Sequence, residues 1–405
     1  MVFGRYDYAA FAGFIAYAAC SMAVPMVLVE LGNGLGFPLE DGGQGAGGAL
    51  QIGRSLMMVV SMLGCGFIAA SWGKRISIGA AIALMGVGII LAALAPVYGV
   101  LFIALAAAGL GEGVIEGLAT PVVQDLHEND EPGRYINFSH SFWSVGVVAT
   151  SITVGLALYW QVSWRAIIMT IGVISLIPAL MFLLPSKKYH FPTPKPTSWK
   201  RVGTDTLAIL RQPRFWVYFA AMFFAGGGEF SLTFWSAPFI RLAYGDSAAA
   251  SGIGTAIFSC GMIVSRMGSG ILVPQRRLGA LVITMAALGV ALGVFPAFMT
   301  EIWQLFIVLF LLGIASGPFW PSIQSYAVEE LKLDSTMIFV LLSCAGIPGC
   351  GVFTWLIGVL GDNFSMRAAI LLVPACYLLV FLLIGSDVLT AAIRRGRQTE
   401  GATPR

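Results

Sequence analysis

The sequence of 405 residues has few charged side chains, only 11%, which is less than half of the roughly 25% usual in soluble proteins. Its hydrophobic share is 58%. A soluble chain with this composition would lack the polar side chains needed to cover its surface. The charge-free runs 76–111 and 135–164 are longer than the roughly 20 residues that cross a bilayer. The sequence therefore predicts a polytopic membrane protein whose environment is the lipid bilayer.

Metal-binding and catalytic motifs are also missing. The three histidines and six cysteines show no paired metal-ligand spacing, so no metal or cofactor is expected. Neither His-Glu-x-x-His nor Gly-x-Ser-x-Gly occurs, and the one Gly-x-Gly-x-x-Gly, at 43–48, opens a predicted span. The net charge of +3 comes from cations in short loops, which excludes a nucleic-acid footprint. A membrane-embedded enzyme is the least favoured function.

Charges and turn residues divide the chain into twelve predicted membrane spans. The longest polar stretch, 186–213, carries several cations and four prolines, and a short amphipathic helix is expected near 199–210. We predict an all-α membrane protein with an N-terminal six-helix bundle (1–185), a cytoplasmic linker (186–212), a C-terminal six-helix bundle (213–389) and a cytoplasmic tail (390–405). The spans lie near 8–31, 42–71, 76–95, 98–126, 135–160, 164–185, 213–242, 247–273, 278–298, 302–329, 335–361 and 366–388.

Basic residues predict the orientation of these spans. If both termini are cytoplasmic, the segments on that side hold 18 of the 23 Lys and Arg residues. Cytoplasmic loops normally carry such an excess. We therefore expect a cell-membrane protein with both termini in the cytoplasm.

The two halves resemble copies of each other. A shift of 204 residues places Gly113 on Gly317 and Asp125 on Glu329, and a shift of 203 places Gly155 on Gly358. Six plus six spans in parallel repeat, joined by a basic linker, resemble the architecture of the major facilitator superfamily, in which substrate sites lie at the membrane midplane between the halves.

Five ionisable residues lie at depth inside predicted spans: Glu112, Glu116, Glu229, Arg54 and Arg266. Such residues are costly in hydrocarbon and tend to face a cavity or a partner. Glu112 and Glu116 are one helical turn apart, so their charges repel and one of them is expected to be protonated part of the time. This makes Glu116, Glu112 and Glu229 candidates for proton coupling. In the alternative interpretation, Arg54 neutralises one glutamate permanently and the other packs as a protonated group.

A polar stripe and several tryptophans mark a candidate substrate site. The stripe follows helical spacing in span 5 and would face a cavity, or else only bind neighbouring helices together. Tryptophans away from the membrane interfaces need a partner for the indole N–H, and a flat apolar face suits a sugar ring. The candidate substrate-binding residues are Asn137, His140, Trp143, Glu229, Trp235, Trp320 and Gln324.

Several motifs resemble the fucose permease family of sugar:proton symporters. Residues 116–121, Glu-Gly-Leu-Ala-Thr-Pro, resemble its Glu-x-x-x-Asn-Pro signature, with Thr120 in place of asparagine. Arg134 and the segment 137–146 are similar to that family's span 5. The pair Gly228-Glu229 with Trp235, and the segment 261–266 ending in Arg266, are similar to its spans 7 and 8.

This resemblance implies that Glu116 carries the proton and that His140 stands where the family has a sugar-binding glutamine. One departure is the first span, because 8–29 holds no acid where the family pairs its glutamate with an aspartate. A second departure is the histidine, which changes the hydrogen-bonding groups and could itself titrate.

Charged residues near the span ends are expected to act as counter-ions or gates. Lys74 and Arg75 follow the glycines of a partial superfamily gating motif, in which Ala70 replaces the usual aspartate. Asp125 and Glu329 could pair with loop cations. The full set of expected counter-ion or gating residues is Arg54, Arg266, Lys74, Arg75, Asp125, Arg134 and Glu329.

The favoured function is proton-coupled import of a monosaccharide or similar polar solute, by a monomer that works by alternating access. The partners are then a small-molecule substrate, protons and lipid. The alternative is a proton-coupled antiporter that exports amphipathic compounds. Such exporters usually carry a Gly-Pro pair in span 5, and 135–160 has no proline.

Overall fold

The computed structural model describes residues 3–127, 132–185, 191 and 199–400, some of them by their backbone alone. All regular structure within these ranges is helical, and twelve helical segments are long and apolar enough to cross a membrane. The polytopic prediction is confirmed. The α-helices are α1 (Arg5–Leu35), α2 (Gln44–Trp72), α3 (Lys74–Leu94), α4 (Tyr98–Leu126), α5 (Pro132–Tyr159), α6 (Trp164–Leu183), α7 (Trp199–Leu210), α8 (Pro213–Tyr244), α9 (Ala248–Leu272), α10 (Leu278–Gly293), α11 (Ile302–Ser316), α12 (Phe319–Leu331), α13 (Ser335–Asn363), α14 (Met366–Ala369) and α15 (Leu372–Glu400).

Two predicted spans are interrupted helices. The tenth consists of α11 and α12, which are separated at Gly317-Pro318. Proline has no N–H to donate to the preceding turn, so a helix breaks readily in front of it. The twelfth consists of α14 and α15. Helix α7 forms where the sequence predicts a short amphipathic helix, in the segment between the sixth and seventh spans.

The same helix pairs pack in both halves. In the first half, α1 packs on α5 and α6, α2 on α4, and α3 on α6; in the second, α8 packs on α13 and α15, α9 on α11, and α10 on α15. These are equivalent spans of a six-plus-six repeat. The packing of the halves therefore has the repeat order that the 204-residue shift indicates.

Close glycine contacts follow this repeat residue by residue. A Cβ atom at Gly113 would lie 2.0 Å from the Met58 carbonyl oxygen, and one at Gly317 would lie 3.0 Å from the carbonyl oxygen of Met262. Met58 and Met262 differ by 204 positions, as do the two glycines. The predicted correspondence of Gly113 and Gly317 is thus a structural one, because each glycine lets its own span approach the backbone of the neighbouring helix.

The halves meet mainly through three helix pairs, α2 with α13, α5 with α9 and α1 with α8. We call the end of the bundle where the segment 184–212 joins the helices the linker face, and the other end the distal face. The closest contacts lie toward the distal face: a Cβ atom at Gly48 would lie 2.7 Å from the Thr354 oxygen, and one at Gly252 would lie 2.3 Å from the Ser151 oxygen.

Toward the linker face the helices diverge. A Cβ atom at Gly64 on α2, or at Gly268 or Gly270 on α9, would meet no atom within 4 Å. The close contacts between the halves lie toward the distal face, and we interpret the space between the halves as a crevice that is closed there and open toward the linker face. Large apolar side chains such as Phe67, Ile103 and Ile271 are exposed on the outside, as expected for helices that contact lipid.

Candidate functional site

The crevice brings together side chains from both halves at mid-depth. His140 on α5 is exposed to solvent although it contacts Thr120 of α4 and Phe14 of α1, as expected for a residue that lines a water-accessible cavity. The Arg266 guanidinium carbon, on α9, lies 6.0 Å from the centre of the Trp143 ring on α5. Arg266 also acts electrostatically on both Glu116 and His140. Glu116 and His140 therefore lie at one site, as the sequence predicts, and Arg266 of the second half lies at the same site.

Arg266 and Glu229 form an ion pair at this site. The Arg266 Nη2 donates to Glu229 Oε1 at 2.7 Å, and its Nε donates to the Gly317 carbonyl oxygen at 2.8 Å. The side chains are 27% and 12% exposed. The break between α11 and α12 leaves the Gly317 carbonyl near Arg266, so the interrupted helix helps to hold the arginine. Arg266 is therefore partly open to the crevice, and Glu229 lies beneath it, mostly buried but not fully enclosed.

Arg54 and Glu112 form a second ion pair inside the first half. Arg54 Nε donates to Glu112 Oε2 at 2.7 Å, its Nη2 donates to Glu112 Oε1, and Nη2 also donates to the Cys20 carbonyl oxygen at 2.9 Å. The side chains are only 3% and 1% exposed. This is the arrangement of the alternative interpretation, in which Arg54 neutralises one glutamate. The structure does not bring Glu112 to the crevice surface, because its carboxylate is enclosed with Arg54.

Glu116 lies one turn further along α4 and is only partly buried. Its carboxyl group lies beside the Tyr17 side chain of α1 and in the electrostatic field of Arg266 and Glu112. Among the residues that the structure describes, no cation lies within ion-pair distance of Glu116. It is therefore the carboxyl group of the crevice without a fixed counter-ion.

Thr120 and His140, which both replace residues of the fucose permease pattern, contact each other. The Thr120 hydroxyl oxygen lies 2.9 Å from Nε2 of His140. The Phe14 ring, on α1, lies 4.7 Å from the imidazole ring. The family pattern has asparagine and glutamine at these positions. In this chain, one pair of hydrogen-bonding side chains is therefore replaced by another pair. The side chain of Asn137, the first residue of the predicted polar stripe in span 5, lies outside the described residues.

The three mid-span tryptophans have different environments. Trp143 is partly exposed beside Arg266. Trp320 is partly buried against α13, where a Cβ atom at Gly346 would lie 2.5 Å from its ring. Trp235 is fully buried, and its indole N–H donates to the Thr354 carbonyl oxygen at 2.9 Å. The structure therefore does not bring Trp235 to the crevice, because its ring packs between α8 and α13.

Gln324 is also turned into a helix contact. It is buried on α12, and its Nε2 donates to the Ser343 hydroxyl at 3.1 Å and to the Phe339 carbonyl oxygen at 3.3 Å. Both partners belong to α13. The amide thus joins two helices of the second half, and in this arrangement its donors are directed at α13 rather than at the crevice.

The expected gating residues lie at the linker face. Lys74 Nζ lies 2.6 Å from Asp125 Oδ2, as predicted for an acid that pairs with a loop cation. The Arg75 guanidinium instead donates to the carbonyl oxygens of Phe182 and Leu183, at 2.5 and 3.1 Å. The side chain of Arg134 lies outside the described residues.

At the equivalent place in the second half, the acid of the ion pair is Glu330 rather than the predicted Glu329. Glu329 is exposed, and Glu330 pairs with Arg214 at 3.0 Å. Asp387, which is not among the predicted site residues, accepts hydrogen bonds from Arg214 Nε and Nη2, both at 2.8 Å, and from the hydroxyls of Tyr218 and Tyr326, both at 2.9 Å. Its position within the predicted span 366–388 was the signal that could have identified it.

Twelve membrane-crossing helices in two repeats around a charged crevice define a membrane transporter. The chain matches the Major Facilitator Superfamily over residues 9–332, and it belongs to that superfamily. The predicted superfamily is thereby confirmed. The match does not extend to the narrower resemblance to the fucose permease family, which stays a prediction.

A curated relative and several solved structures are similar to the chain. The uncharacterized MFS-type transporter YybF of Bacillus subtilis (strain 168) is 27% identical over 184 residues, so the match spans 44% of this chain and 44% of that relative's length. The nucleoside transporter NupG has a TM-score of 0.74 at 13% identity, over 94% of this chain and 98% of that one.

Two further structures have the same architecture. The fucose:proton symporter FucP of E. coli, as a single-residue variant, has a TM-score of 0.64 at 17% identity, over 94% of this chain and 98% of that one. A bacterial homolog of the human lysosomal transporter Spinster, in an inward-facing and occupied conformation, has a TM-score of 0.72 at 13% identity, over 95% and 96%. At these identities the likeness establishes the fold alone.

Proposed function

We propose that this chain is a proton-coupled transporter that imports a monosaccharide or a similar polar solute by alternating access. The observation that carries this proposal is the position of Glu116: a carboxyl group at the crevice, beside Tyr17 and facing Arg266 of the other half, with no fixed counter-ion among the described residues.

Glu116 is the residue best placed to carry the proton. A coupling carboxyl group must gain a proton on one side of the membrane and lose it on the other. Glu112 is held by Arg54 away from the crevice, so it is a poor carrier. Glu229 is at the crevice but is paired with Arg266. Protonation of Glu116 would remove the charge that Arg266 attracts across the gap between the halves, and this would couple the proton to their relative position.

The charges of the crevice favour a neutral solute. Arg266 and Glu229 neutralise each other, and a protonated Glu116 adds no charge. What remains are hydrogen-bonding groups, Thr120 and His140, beside the flat face of Trp143. Hydroxyl groups could bond to the first two while a sugar ring packs on the indole. FucP, one of the proteins with this fold, is described as a fucose:proton symporter.

The division of the chain supports alternating access. We propose that residues 1–185 and 213–389 form two bundles that rock against each other, joined by the linker 186–212 and followed by the tail 390–405. The linker face and both termini would be cytoplasmic, because that side carries most of the Lys and Arg residues. In this orientation the crevice is open to the cytoplasm. The working unit would be a monomer in the cell membrane.

Transport assays on the Glu116→Gln variant test this proposal. Proteoliposomes would be given an inward proton gradient and radiolabelled fucose, galactose or glucose, after a thermal-shift screen of the purified protein has shown which of them stabilises it. The variant should lose uphill uptake but keep exchange of labelled for unlabelled sugar, because exchange needs no net proton movement. Glu301→Gln, at an exposed acid of the distal face, is the matched control and should behave like the parent. Uphill accumulation by Glu116→Gln would contradict the coupling role.

A further inference from the structure

Helix α2 begins at the distal face without a capping side chain of its own. Its N-cap residue is Gly43, and no side chain of the same loop accepts a hydrogen bond from the first turn. A side chain cannot be placed there, because a Cβ atom at Gly43 would lie 2.1 Å from the carbonyl oxygen of Phe37 and 2.6 Å from that of Pro38. The first N–H groups of a helix nevertheless need acceptors.

The acceptor comes from the other half of the protein. Asp362, near the end of α13, accepts a hydrogen bond from Gln44 N–H on Oδ1 at 2.9 Å and one from Gly45 N–H on Oδ2 at 2.7 Å. Both carboxylate oxygens are thus engaged by the first two residues of α2. A carboxylate at a helix N-terminus is also favoured by the helix dipole.

The N-terminus of α9, the equivalent helix of the second half, is capped in a different way from that of α2. Helix α9 begins after Ser247, whose hydroxyl accepts a hydrogen bond from Ala250 N–H at 3.1 Å. This cap belongs to the helix itself and moves with it. The cap of α2 is a residue of the opposite half, so it can form only while the two halves are together at the distal face.

Two other features join the halves close to this cap. A Cβ atom at Gly358, one turn before Asp362, would lie 2.3 Å from the Gln44 carbonyl oxygen, so the backbones of α13 and α2 are in direct contact there. At the same face, Arg241 Nη1 on α8 donates to Glu30 Oε1 on α1 at 2.8 Å. The distal closure is therefore held by a cap and an ion pair, each with one partner in each half.

We propose that Asp362 is a conformational latch, which stabilises closure of the distal face by capping α2 from the opposite half. Opening the distal face would remove both acceptors from the start of α2 and return the Asp362 charge to water. This inference concerns the balance between the two ends of the crevice. It does not depend on the substrate or on the coupling ion.

Distances across the distal face test the latch. Spin labels would be attached to cysteines introduced at Val162 and Phe298, which are exposed loop positions of the first and second half at that face, after replacement of the native cysteines by alanine. Double electron–electron resonance in proteoliposomes then measures the distance between the labels. Asp362→Ala should raise the fraction of molecules at the longer distance about tenfold, because a lost cap and a lost charge–dipole interaction together shift the equilibrium by that order.

Two control variants separate the latch from general loosening. Asn363→Ala removes an amide that donates only to the Val359 carbonyl oxygen of its own helix, and it should leave the distances unchanged. Ser247→Ala removes the cap of α9 and should lower the unfolding temperature without changing the distances. An Asp362→Ala distribution identical to that of Asn363→Ala would overturn the proposal.

A second variant covers the case in which Asp362→Ala does not yield folded protein. Gly358→Ala keeps the carboxylate but forces the two backbones apart, and it should shift the distances in the same direction. Unchanged distances in a folded Gly358→Ala protein would likewise overturn the latch. A failed uptake assay with Glu116→Gln would leave this result unaffected, because no substrate is present in the distance measurement.

Discussion

The two arginine–glutamate pairs show the same chemistry in two environments. Arg54 and Arg266 lie on equivalent helices, α2 and α9. The repeat equivalent of Arg54 is Phe258, so Arg266 lies eight positions further along its helix, which is about 12 Å nearer the linker face at 1.5 Å per residue. Arg54 is enclosed with Glu112, whereas Arg266 lines the crevice with Glu229. The shift along the helix therefore separates a pair inside one half from a pair that faces the other half.

This difference determines what each pair can do. A dry pair is costly to break, because removing one partner leaves an uncompensated charge without water. A pair at a crevice can exchange partners, since water or a polar solute can take over part of its hydrogen bonding. We therefore expect Arg54–Glu112 to act on stability and Arg266–Glu229 to act on transport.

The largest effect is expected when the dry pair is broken. Arg54→Met should destabilise the protein by about 3–5 kcal/mol, because it leaves Glu112 buried without its partner. The double variant Arg54→Met with Glu112→Leu should recover most of this loss, since it removes both charges. Thermal unfolding of the purified variants in detergent measures both effects. A stable Arg54→Met protein would mean that water reaches Glu112, and the contrast between the two pairs would disappear.

A smaller effect on stability, but a large one on transport, is expected at the crevice pair. Arg266→Met should cost less stability than Arg54→Met, about 1–2 kcal/mol, because the Glu229 side chain is not fully enclosed and water can reach it. Uptake should fall by about tenfold or more, as for the loss of a charged hydrogen-bonding partner. Initial uptake rates and unfolding temperatures, measured on the same preparation, separate the two quantities. Normal uptake with a large loss of stability would reverse the proposed assignment of the pairs.

The sequence identifies the ionisable residues inside the spans more readily than it predicts which of them form pairs. The spans follow from charge and hydropathy because the bilayer imposes their length and composition on the chain. Arg54, Glu112, Glu229 and Arg266 each stand out because a charge at membrane depth is costly. Their pairing depends on the rotation and neighbours of each helix. Trp235 and Gln324 show the same limit, since a polar group inside a span can face a cavity or a helix, and both residues face helices here.

Charged residues at the span ends carry little information about their partners. Asp362 and Glu30 lie where charges mark helix boundaries, and such charges are routine at the membrane surface. Nothing in the sequence distinguishes an acid that ends a helix from one that caps a helix in the other half. The signal at α2 is indirect: a run of glycines, 42–43, precedes the helix where a capping side chain would be usual.

The smallest effect is expected at an exposed pair, which completes the comparison. Lys74 and Asp125 meet at the linker face with both side chains more than a quarter exposed. A double-mutant cycle with Lys74→Gln and Asp125→Asn should give a coupling energy of about 1 kcal/mol or less, and high salt should reduce it. Arg75→Gln is the control, because its guanidinium donates to the carbonyl oxygens of Phe182 and Leu183 and should show no coupling with Asp125→Asn. A coupling energy as large as that of Arg54 and Glu112 would show that exposure does not set the strength of these pairs, and the difference between Arg54 and Arg266 would then need another cause.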